Sequence, residues 1–352
     1  MKMKALVLEE FGRPLIVADL TIPPLAHGQV LVKILYSGVC RSQLMEIAGE
    51  RGPDPWLPHL LGHEASGTVV EVGSGVTKVS AGDAVILSWI KGEGLDAPGA
   101  QYEWDRRVIH SGSVTTFSNY SVVAENRVTL RPEDLDSDLA ALFGCAILTG
   151  AGMVLNEIQP SEHSSVVILG LGGIGISALL AAVALGVERI IAIDISDEKI
   201  EFAKRCGAHH VINPEITDAT EFVQDVTAGG ADFCIESAGL TDTIELGFSL
   251  IRDGGSLLFA SHPPDGQLIR LVPHDLIRGK VISGSWGGAC FADRDVPRVH
   301  ELIKDQIDIL KTLLTRRYPL DDANSALKDL ASGGMFRPLI VMDHPENGGS
   351  SL

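Results

Sequence analysis

Two groups of residues in this chain have the types and spacing that catalysis could use. Cys40, the pair His63 and Glu64, and Cys145 are residue types that bind zinc. They precede the run Gly170–Gly175, whose spacing is typical of a turn that holds a dinucleotide. A zinc ion that polarises an alcohol or carbonyl oxygen, next to a nicotinamide that carries a hydride, needs few further groups. The two groups together therefore indicate zinc-assisted hydride transfer.

The glycine-rich run lies in the context that a dinucleotide-binding turn requires. Residues 164–169 are predicted as a short buried strand, and residues 175–186 as a helix of small apolar side chains. Gly170 and Gly172 would let the backbone turn tightly and approach a pyrophosphate, while Gly175 would let the helix pack against the strand. The free N–H groups of the helix N-terminus would face the phosphates. The cofactor-binding residues predicted here are Gly170, Gly172, Gly173, Ile174 and Gly175.

An acidic residue follows the next predicted strand. Residues 189–193 are apolar, and Asp194 comes about 20 residues after the glycine turn. A carboxylate there hydrogen-bonds ribose hydroxyls and repels a 2′-phosphate, which predicts NAD over NADP. The alternative is a glycine-rich loop with a surface aspartate. Apolar segments at 231–235, 255–260 and 281–285, separated by helical stretches, would complete a parallel sheet.

Further motifs follow one another along the chain. They are GVCRS at 38–42, GHEASG at 62–67, TFSNY at 116–120, GCAILTG at 144–150 and SGGMFR at 332–337. With the glycine turn, they make the chain resemble the zinc-dependent alcohol dehydrogenases of the medium-chain dehydrogenase/reductase superfamily over nearly its whole length. The resemblance implies an α/β fold. A Rossmann doubly wound parallel sheet would bind NAD over residues 147–286, and a GroES-like β-barrel catalytic domain would comprise residues 1–146 and 287–352.

The resemblance also implies the ligands of a metal ion. Cys40, His63 and Cys145 match the family's catalytic zinc ligands, and three protein ligands leave a fourth position for water or substrate. Glu64 matches the acidic neighbour that can approach the zinc during ligand exchange. Each cysteine alone could instead be a small buried apolar side chain. Glu64 could be a buried ion-pair partner.

Other site residues follow from the same resemblance. Ser42 matches the hydroxyl that accepts the proton of a zinc-bound alcohol, although it could simply stabilise a turn. Arg41 and Arg337 match positions that contact the cofactor pyrophosphate, and Lys199 matches one near the adenosine ribose. All three could also be solvated surface charges. Thr149 matches a residue that lines the nicotinamide pocket.

The chain departs from the family in three places. Residues 91–112 contain no cysteine, where many members carry a four-cysteine structural zinc lobe, so we expect one zinc per chain. Met45 replaces the histidine that extends the proton relay and cannot carry a proton. Gln43 replaces the aspartate that orients the zinc-bound histidine, and a neutral amide raises ligand basicity less than a carboxylate does.

Composition is that of a protein with two hydrophobic cores. The chain has 352 residues, 45% of them hydrophobic, and a formal net charge of −18. That charge argues against nucleic acid or an anionic membrane as partner. Five cysteines, two of them assigned to metal, do not form a disulfide framework. We expect a cytoplasmic homodimer or homotetramer that acts on a small alcohol or carbonyl compound.

Three functions remain open from the sequence. The first is NAD-dependent alcohol oxidation, or the reverse reaction. The second is a zinc-free quinone or enoyl reductase of the same superfamily, against which the intact Cys40, His63 and Cys145 count. The third is a non-enzymatic cofactor-binding protein. The resemblance also bears on the substrate, because four residues lie at or near positions where the family commonly has apolar residues that face the substrate: Trp89, His110, His262 and Ser285. A polar pocket there would favour a polyol, sugar or cyclitol.

Overall fold

The structure is a computed structural model that describes residues 1–314, 316–333 and 337–344. The chain folds into two compact units. Unit 1 comprises residues 1–145, 291–297 and 310–352, and unit 2 comprises residues 146–290 and 298–309. Of the motif at 332–337, Gly334, Met335 and Phe336 lie outside the described residues.

The first half of the chain is mainly strands. In chain order the elements are β1 (Lys2–Leu8), β2 (Ile16–Thr21), β3 (Gln29–Gly38), α1 (Arg41–Ala48), β4 (His59–Leu60), β5 (Glu64–Val72), β6 (Ala84–Ser88), β7 (Gln101–Trp104), β8 (Arg107–His110), β9 (Tyr120–Ala124), β10 (Val128–Leu130) and α2 (Ser137–Ala140).

Strands and helices then alternate up to residue 284. The elements are α3 (Ala146–Gly152), β11 (Ser165–Leu169), α4 (Gly173–Ala184), β12 (Arg189–Ile193), α5 (Asp197–Arg205), β13 (His210–Ile212), α6 (Ala219–Thr227), β14 (Ala231–Glu236), α7 (Thr241–Leu250), β15 (Ile251–Phe259), α8 (Pro273–Ile277) and β16 (Val281–Gly284). The C-terminal elements are α9 (Ala292–Ile303), α10 (Ile307–Lys311), β17 (Arg317–Pro319), α11 (Ala323–Ala331) and β18 (Leu339–Val341).

Unit 1 contains a closed barrel and a second sheet. The barrel order is β1-β2-β7-β8-β4, and the second sheet runs β10-β6-β5-β3-β18-β17 with β9 also paired to β3. Strand β2 shows the alternation of a half-buried strand, because Ala18 and Leu20 are buried while their neighbours are exposed. The late strand β18 returns to β3, which joins the C-terminal segment to this unit.

A hairpin occupies the segment where many family members carry a structural zinc lobe. Strands β7 and β8 pair through Asp105 and Arg106, both with positive φ, as a tight two-residue hairpin turn requires. The hairpin joins β2 on one side and β4 on the other, so that it closes the barrel. Backbone pairing therefore holds this segment in place.

Unit 2 contains a six-stranded parallel sheet in the order β13-β12-β11-β14-β15-β16. Numbered from β11, this is the 3-2-1-4-5-6 order of a doubly wound dinucleotide-binding sheet. Strand β11 is buried at every position, since helices cover both faces of such a sheet. The predicted Rossmann and GroES-like architecture is confirmed, and the predicted strand at 189–193 matches β12 residue for residue.

Two contacts fix the C-terminal segment. Helix α9 begins at Ala292, where the Asp295 side chain accepts a hydrogen bond from the Phe291 N–H. His344 is buried, and its Nε2 donates to the carbonyl of Ile34. Residues 345–352 lie outside the described residues.

Within the described residues, no single helix is long and apolar enough to cross a membrane. The consecutive segments Ser137–Gly144 and Ala146–Ile158 reach that length and composition only when taken together, and most of their side chains are buried.

Candidate active site

Three potential metal ligands lie together in unit 1. One ligand atom from each of Cys40, His63 and Cys145 lies within 4.8 Å of the other two. No other group of at least three His, Cys, Asp or Glu side chains with this proximity occurs in the described part of the chain. The structure thus brings together three residues that are 23 and 82 positions apart in the sequence.

Each ligand lies at the end of a regular element. Cys40 is the N-cap of α1, where the chain is still extended with φ −116° and ψ 153°. His63 immediately precedes β5. Cys145 follows a 3-10 turn over Ala141–Gly144 and precedes α3. Residues at element ends have side chains that neighbouring turns do not cover, so three such ends can surround one small site.

The three side chains influence one another's proton affinity. The hydrogen bond from Cys145 lowers the pKa of Cys40 well below its ordinary value, and the same bond together with burial raises the pKa of Cys145. Burial lowers the pKa of His63, but its contact with Cys40 and the charge of Glu64 outweigh burial and raise it. Cys40 is therefore the more acidic of the two thiols.

The cluster suits a zinc ion. The Nε2 atom of His63 is buried and has no hydrogen-bond partner, while its Nδ1 is in contact with Gln43. A buried polar atom without a partner is costly unless something binds it. Two cysteine sulfurs and one imidazole form the donor set of a catalytic zinc site with one open position.

Gln43 joins two of these ligand residues. It is the third residue of α1, and its Oε1 accepts the backbone N–H of Cys40 at 2.8 Å, which completes a capping box. Its Nε2 lies 2.6 Å from Nδ1 of His63 and 3.3 Å from Oγ of Ser42. The amide is buried, so it fixes both ligands with little freedom.

Glu64 and Arg337 form an ion pair beside the cluster. Nη2 of Arg337 donates to Oε1 of Glu64 at 2.8 Å, and both side chains are almost fully buried. Nη1 of Arg337 also donates to the carbonyl of Val39 at 3.3 Å, one residue before Cys40. Burial lowers the pKa of Arg337, but the charges of Glu64 and of the two cysteines outweigh it and raise it. The guanidinium therefore offsets negative charge at this site.

The other predicted residues of unit 1 lie on α1. Ser42 is half-buried and contacts Gln43, whereas Arg41 is exposed and has interactions of its own. Met45 is buried on the same helix. Its thioether has no ionisable proton, so the position of the expected relay histidine is filled by an apolar side chain.

The glycine turn of unit 2 has the geometry that the sequence predicted. Gly170 has φ +89°, and a Cβ on Gly175 would lie 1.9 Å from the carbonyl oxygen of Gly170, so neither position accepts a side chain. A Cβ on Gly172 would meet nothing within 4 Å, which leaves space beside the turn. Gly173 and Ile174 begin α4, and their position leaves backbone N–H groups at its N-terminus.

Asp194 lies at the end of β12 and contacts the same turn. Its Oδ2 accepts the N–H of Leu171 at 2.7 Å, and its Oδ1 accepts the N–H of Ser196 at 2.9 Å. Nζ of Lys199 lies 3.9 Å from Oδ2. Thr149 is buried in α3, and its Oγ1 has no hydrogen-bond partner.

Sequence reasoning missed Glu236 in this unit. It ends β14 and is fully buried, and its Oε1 accepts hydrogen bonds from the N–H groups of Ala238 and Gly239 and from Oγ1 of Thr243. A Cβ on Gly170 would lie 2.6 Å from the nitrogen of Ala238, so Glu236 shapes the loop that packs on the glycine turn. The signal was an acidic residue directly after the apolar segment 231–235.

The polar residues expected to face the substrate are divided between the units. In unit 1, Trp89 is half-buried, and the ring of His110 lies 5.3 Å from the ring of Trp56 in an edge arrangement. In unit 2, His262 is exposed, and Oγ of Ser285 donates to Glu157 at 2.5 Å.

A site of two cysteines and one histidine, in a chain that also has a dinucleotide-binding sheet, defines a class of zinc-dependent dehydrogenases. The family model of the alcohol dehydrogenase GroES-like domain matches residues 26–133, and that of zinc-binding dehydrogenases matches residues 173–305. S-(hydroxymethyl)glutathione dehydrogenase of Escherichia coli is 31% identical over 97% of this chain and 100% of its own length.

Solved structures are similar over the same extent. Benzyl alcohol dehydrogenase of Acinetobacter calcoaceticus has a TM-score of 0.87 and 29% identity, over 97% of this chain and 100% of its own. A zinc-binding dehydrogenase of Sinorhizobium meliloti, solved with bound NADP, has a TM-score of 0.79 and 25% identity, over 97% and 99% of the two chains.

The chain therefore belongs to the zinc-dependent alcohol dehydrogenases of the medium-chain dehydrogenase/reductase superfamily. It is an oxidoreductase that uses zinc and a nicotinamide cofactor and acts on small molecules.

Proposed function

We propose that this enzyme oxidises a primary or secondary alcohol with NAD, or reduces the corresponding carbonyl compound, using one zinc ion per chain. The main support is the cluster of Cys40, His63 and Cys145, whose three ligand atoms lie within 4.8 Å of one another. Nε2 of His63 is also buried and has no hydrogen-bond partner. This cluster disfavours a zinc-free quinone or enoyl reductase, because such an enzyme has no use for two thiolates and an imidazole at one point.

Each side chain near the metal site would have its own role in the reaction. When bound, the zinc would polarise the alcohol oxygen and the nicotinamide would take the hydride. Ser42 would accept the hydroxyl proton, and its Oγ lies close enough to Gln43 to be oriented by it. Glu64 would take part in ligand exchange, while Arg337 would offset the negative charge of the cysteines and also contact the pyrophosphate, as Arg41 would.

The other cofactor contacts would come from unit 2. The turn of Gly170, Gly172, Gly173, Ile174 and Gly175 would hold the pyrophosphate, Lys199 would lie near the adenosine ribose, and Thr149 would line the nicotinamide pocket. Preference for NAD would come from Asp194, whose two oxygens are already fixed by backbone N–H groups, so that a 2′-phosphate would meet an immobile negative charge.

We extend the proposal to domain limits, compartment and substrate. The zinc domain would comprise residues 1–146 and 287–352, and the NAD domain residues 147–286. Free thiols at all five cysteines suit the reducing cytoplasm. An exposed Trp56 beside His110 offers an aromatic face and a hydrogen-bonding group, which suits a polyol, sugar or cyclitol.

The test combines metal analysis with an activity screen. We expect one zinc per chain, and reduction of NAD in a panel of aliphatic, aromatic and polyhydroxylated alcohols. Cys145→Ser should lose zinc and turnover and still bind NAD. Cys206→Ser, which changes a buried thiol of unit 2, should keep its zinc and its turnover. Two zinc ions per chain, or full activity of Cys145→Ser, would contradict the proposal.

We also propose that the protein forms a homo-oligomer through the free edge of the parallel sheet. In the part of the chain that the structure describes, β16 pairs with β15 alone. Exposed apolar side chains are concentrated around it, at Leu268, Val272, Ile277, Val281 and Trp286. An exposed edge strand favours pairing with another strand, and a second copy supplies an identical one under two-fold symmetry.

The oligomer is tested by a charge on this edge. Val281→Lys should shift the sedimentation of the native protein to that of a smaller species. Ile216→Lys, at a more exposed position elsewhere in unit 2, should leave it unchanged. A wild-type protein that sediments as a monomer would contradict this assignment.

A further inference from the structure

A short loop follows the last strand of the parallel sheet in unit 2. We call residues 285–290, which come directly after β16, the β16 loop. Its backbone bends sharply, because Gly287, Gly288 and Ala289 all have positive φ. Open parallel sheets bind ligands outside the carboxyl ends of their strands, and the β16 loop lies at such an end. It is therefore a candidate part of a ligand site.

The strand order decides which half of a dinucleotide the β16 loop would face. A doubly wound sheet has two halves, each of which binds one mononucleotide, and the dinucleotide crosses between them where the strand order reverses. Here the order reverses between β11 and β14. Asp194, the proposed partner of the adenosine ribose, lies at the end of β12 in the first half. The β16 loop belongs to the other half, which would hold the nicotinamide.

The β16 loop packs closely on α3, the helix that carries Thr149. A Cβ on Gly288 would lie 2.5 Å from the carbonyl oxygen of Thr149, and one on Gly152 would lie 2.4 Å from the carbonyl oxygen of Gly288. A Cβ on Gly150, the residue after Thr149, would lie 2.1 Å from the carbonyl oxygen of Ile174. The same turn of α3 thus contacts both the β16 loop and the glycine turn that would hold the pyrophosphate.

Thr149 indicates that this contact is part of a ligand site. Its side chain is 3% exposed, and within the described part of the chain its Oγ1 has no hydrogen-bond partner. A buried hydroxyl without a partner is costly unless something binds it. Thr149 is also the residue proposed to line the nicotinamide pocket.

Two polar side chains just beyond α3 hold the β16 loop in this position. A π-helical turn, Met153–Ile158, continues α3 and carries Asn156 and Glu157. Nδ2 of Asn156 donates to the carbonyl of Gly288 at 3.0 Å. Oγ of Ser285 accepts the N–H of Gly288 at 3.1 Å and donates to Oε2 of Glu157 at 2.5 Å. Both backbone polar groups of Gly288 are therefore connected to the π-helical turn.

The orientation of Asn156 is fixed from its other side. Its Oδ1 accepts from Nη1 of Arg298 at 2.8 Å, so its NH₂ group faces the β16 loop. A π-helical turn inside a helix is rare and occurs frequently at functional sites. Here the turn brings an amide and a carboxylate to the same glycine of the β16 loop.

We propose that Asn156 and Glu157 are positioning residues for the nicotinamide, because they hold the β16 loop against α3 where the nicotinamide half of the cofactor would bind. They act through the loop and do not touch the cofactor themselves. The proposal rests on the cofactor site of the proposed function. It predicts that losing either side chain weakens the contacts of the nicotinamide and not those of the rest of the dinucleotide.

Two ligands that differ in the nicotinamide test this on the full chain. NADH carries the nicotinamide and ADP-ribose does not, so the ratio of their dissociation constants, from isothermal titration calorimetry, measures the nicotinamide contacts. The wild type should bind NADH more tightly. Glu157→Met keeps the length of the side chain and removes the acceptor of Ser285. It should weaken NADH binding by about tenfold, as expected for one hydrogen bond to a charged group, and leave ADP-ribose binding unchanged.

Further variants separate the individual hydrogen bonds. Glu157→Gln keeps an acceptor for Ser285 and should bind NADH more tightly than Glu157→Met. Asn156→Asp keeps the acceptor for Arg298 but removes the donor to Gly288, so it should weaken NADH binding alone. Ser285→Ala breaks the connection to Glu157 from the other side and should do the same. Glu221→Met, at an exposed glutamate of α6, is the control and should match the wild type.

A general structural role of the two residues would give a different result. Glu157→Met and Ser285→Ala would then weaken NADH and ADP-ribose equally, which would overturn the proposal, as would unchanged NADH binding in both. Equal affinity of the wild type for the two ligands would overturn it too, because no nicotinamide contact would remain to be positioned. If Glu157→Met does not fold, Ser285→Ala, which removes a single oxygen atom, decides.

The same measurements separate this proposal from the proposed function. If the wild type prefers NADH to NADPH and the variants change nothing, only the role of Asn156 and Glu157 fails. If it prefers NADPH, the role of Asp194 fails, and NADPH with 2′-phospho-ADP-ribose makes the same comparison. If it binds none of these ligands, the cofactor site and the positioning residues fail together.

Discussion

Glu64 and Arg337 are 273 positions apart in the sequence and form a buried ion pair, with Nη2 of Arg337 2.8 Å from Oε1 of Glu64. Their side chains are 0% and 5% exposed. The pair connects the start of β5 with the segment just before β18, next to the metal ligands. Removing one partner of a pair buried this deeply destabilises a protein, because the other charge is left uncompensated.

This relationship predicts a strongly non-additive mutant cycle. Glu64→Gln leaves the guanidinium buried without a counter-charge, and Arg337→Gln leaves the carboxylate buried without one. Each variant should lower the free energy of unfolding by about 3–5 kcal/mol. The double variant should recover most of that loss, because neither buried charge is then left without its partner. Urea unfolding of the metal-free protein measures the free energy of unfolding of the wild type, both single variants and the double variant. Additive losses would contradict the pairing.

Much of the fold could be predicted because its signals are local. The strand, glycine turn and helix around Gly170 follow one another directly, and Asp194 ends the next strand, so that sequence spacing alone predicts their arrangement. The metal ligands were predicted by resemblance, since no periodicity relates Cys40 to Cys145. Their proximity depends on three element ends that meet only in the folded chain.

Two features could not be predicted, for physical reasons. The β7–β8 hairpin turns at Asp105 and Arg106, which both adopt positive φ without the glycine or asparagine that usually announces such a turn. The ion-pair partner of Arg337 could not be predicted either. The chain has 46 acidic residues, and the sequence does not show which of them will pair with a given arginine. Arg337 was predicted only as a cofactor contact.

Glu125 predicts a pH dependence of stability. Its carboxylate is buried and accepts the N–H groups of Thr77, Lys78 and Leu95 at 2.6–2.7 Å. Burial raises the pKa of Glu125, but these hydrogen bonds outweigh burial and hold the pKa below its ordinary value of 4.5. A carboxyl whose pKa is lowered by folding stabilises the protein above its unfolded pKa, and this contribution is lost as the pH falls through the lowered value.

The test of Glu125 compares two pH values. At neutral pH, Glu125→Gln should lower the free energy of unfolding by about 2 kcal/mol, the range for hydrogen bonds to a charged group. As the pH falls from the ordinary carboxyl pKa through the lowered value, the difference from the wild type should shrink, because the carboxylate becomes protonated and both side chains are then neutral. The exposed Glu133→Gln should show neither effect. A difference that stays constant down into acid would argue against the assignment.

Asp194 predicts the choice of cofactor. Asp194→Ala should weaken NAD binding and relax discrimination against NADP by about 1–3 kcal/mol, since it removes both the ribose partner and the negative charge. It also leaves the N–H groups of Leu171 and Ser196 without their acceptor. Asp194→Asn keeps an acceptor oxygen and separates the two effects: it should relax discrimination with less loss of NAD affinity. A wild-type enzyme that prefers NADP would refute the assignment.

Met45 and Ser42 predict how the proton leaves the alcohol. Met45 is buried on α1, three residues from Ser42, and cannot titrate. Ser42 would therefore take the proton without a protein imidazole to pass it to, and no group with a pKa of about 6.5 should shape the rate through this position. Ser42→Ala should nearly abolish turnover while zinc content and NAD binding stay at wild-type levels.

Met45→His restores the missing titratable group and is the informative gain-of-function variant. It should speed alcohol oxidation under conditions where a solvent isotope effect shows that proton removal limits the rate, because an imidazole next to Ser42 can accept the proton near neutral pH. The rate should then depend on pH through the new histidine. Leu44→His, on the same helix but half-buried at the adjacent position, serves as the control and should bring no such gain. Full activity of Ser42→Ala, or no effect of Met45→His where proton transfer limits the rate, would show that the proton leaves by another path.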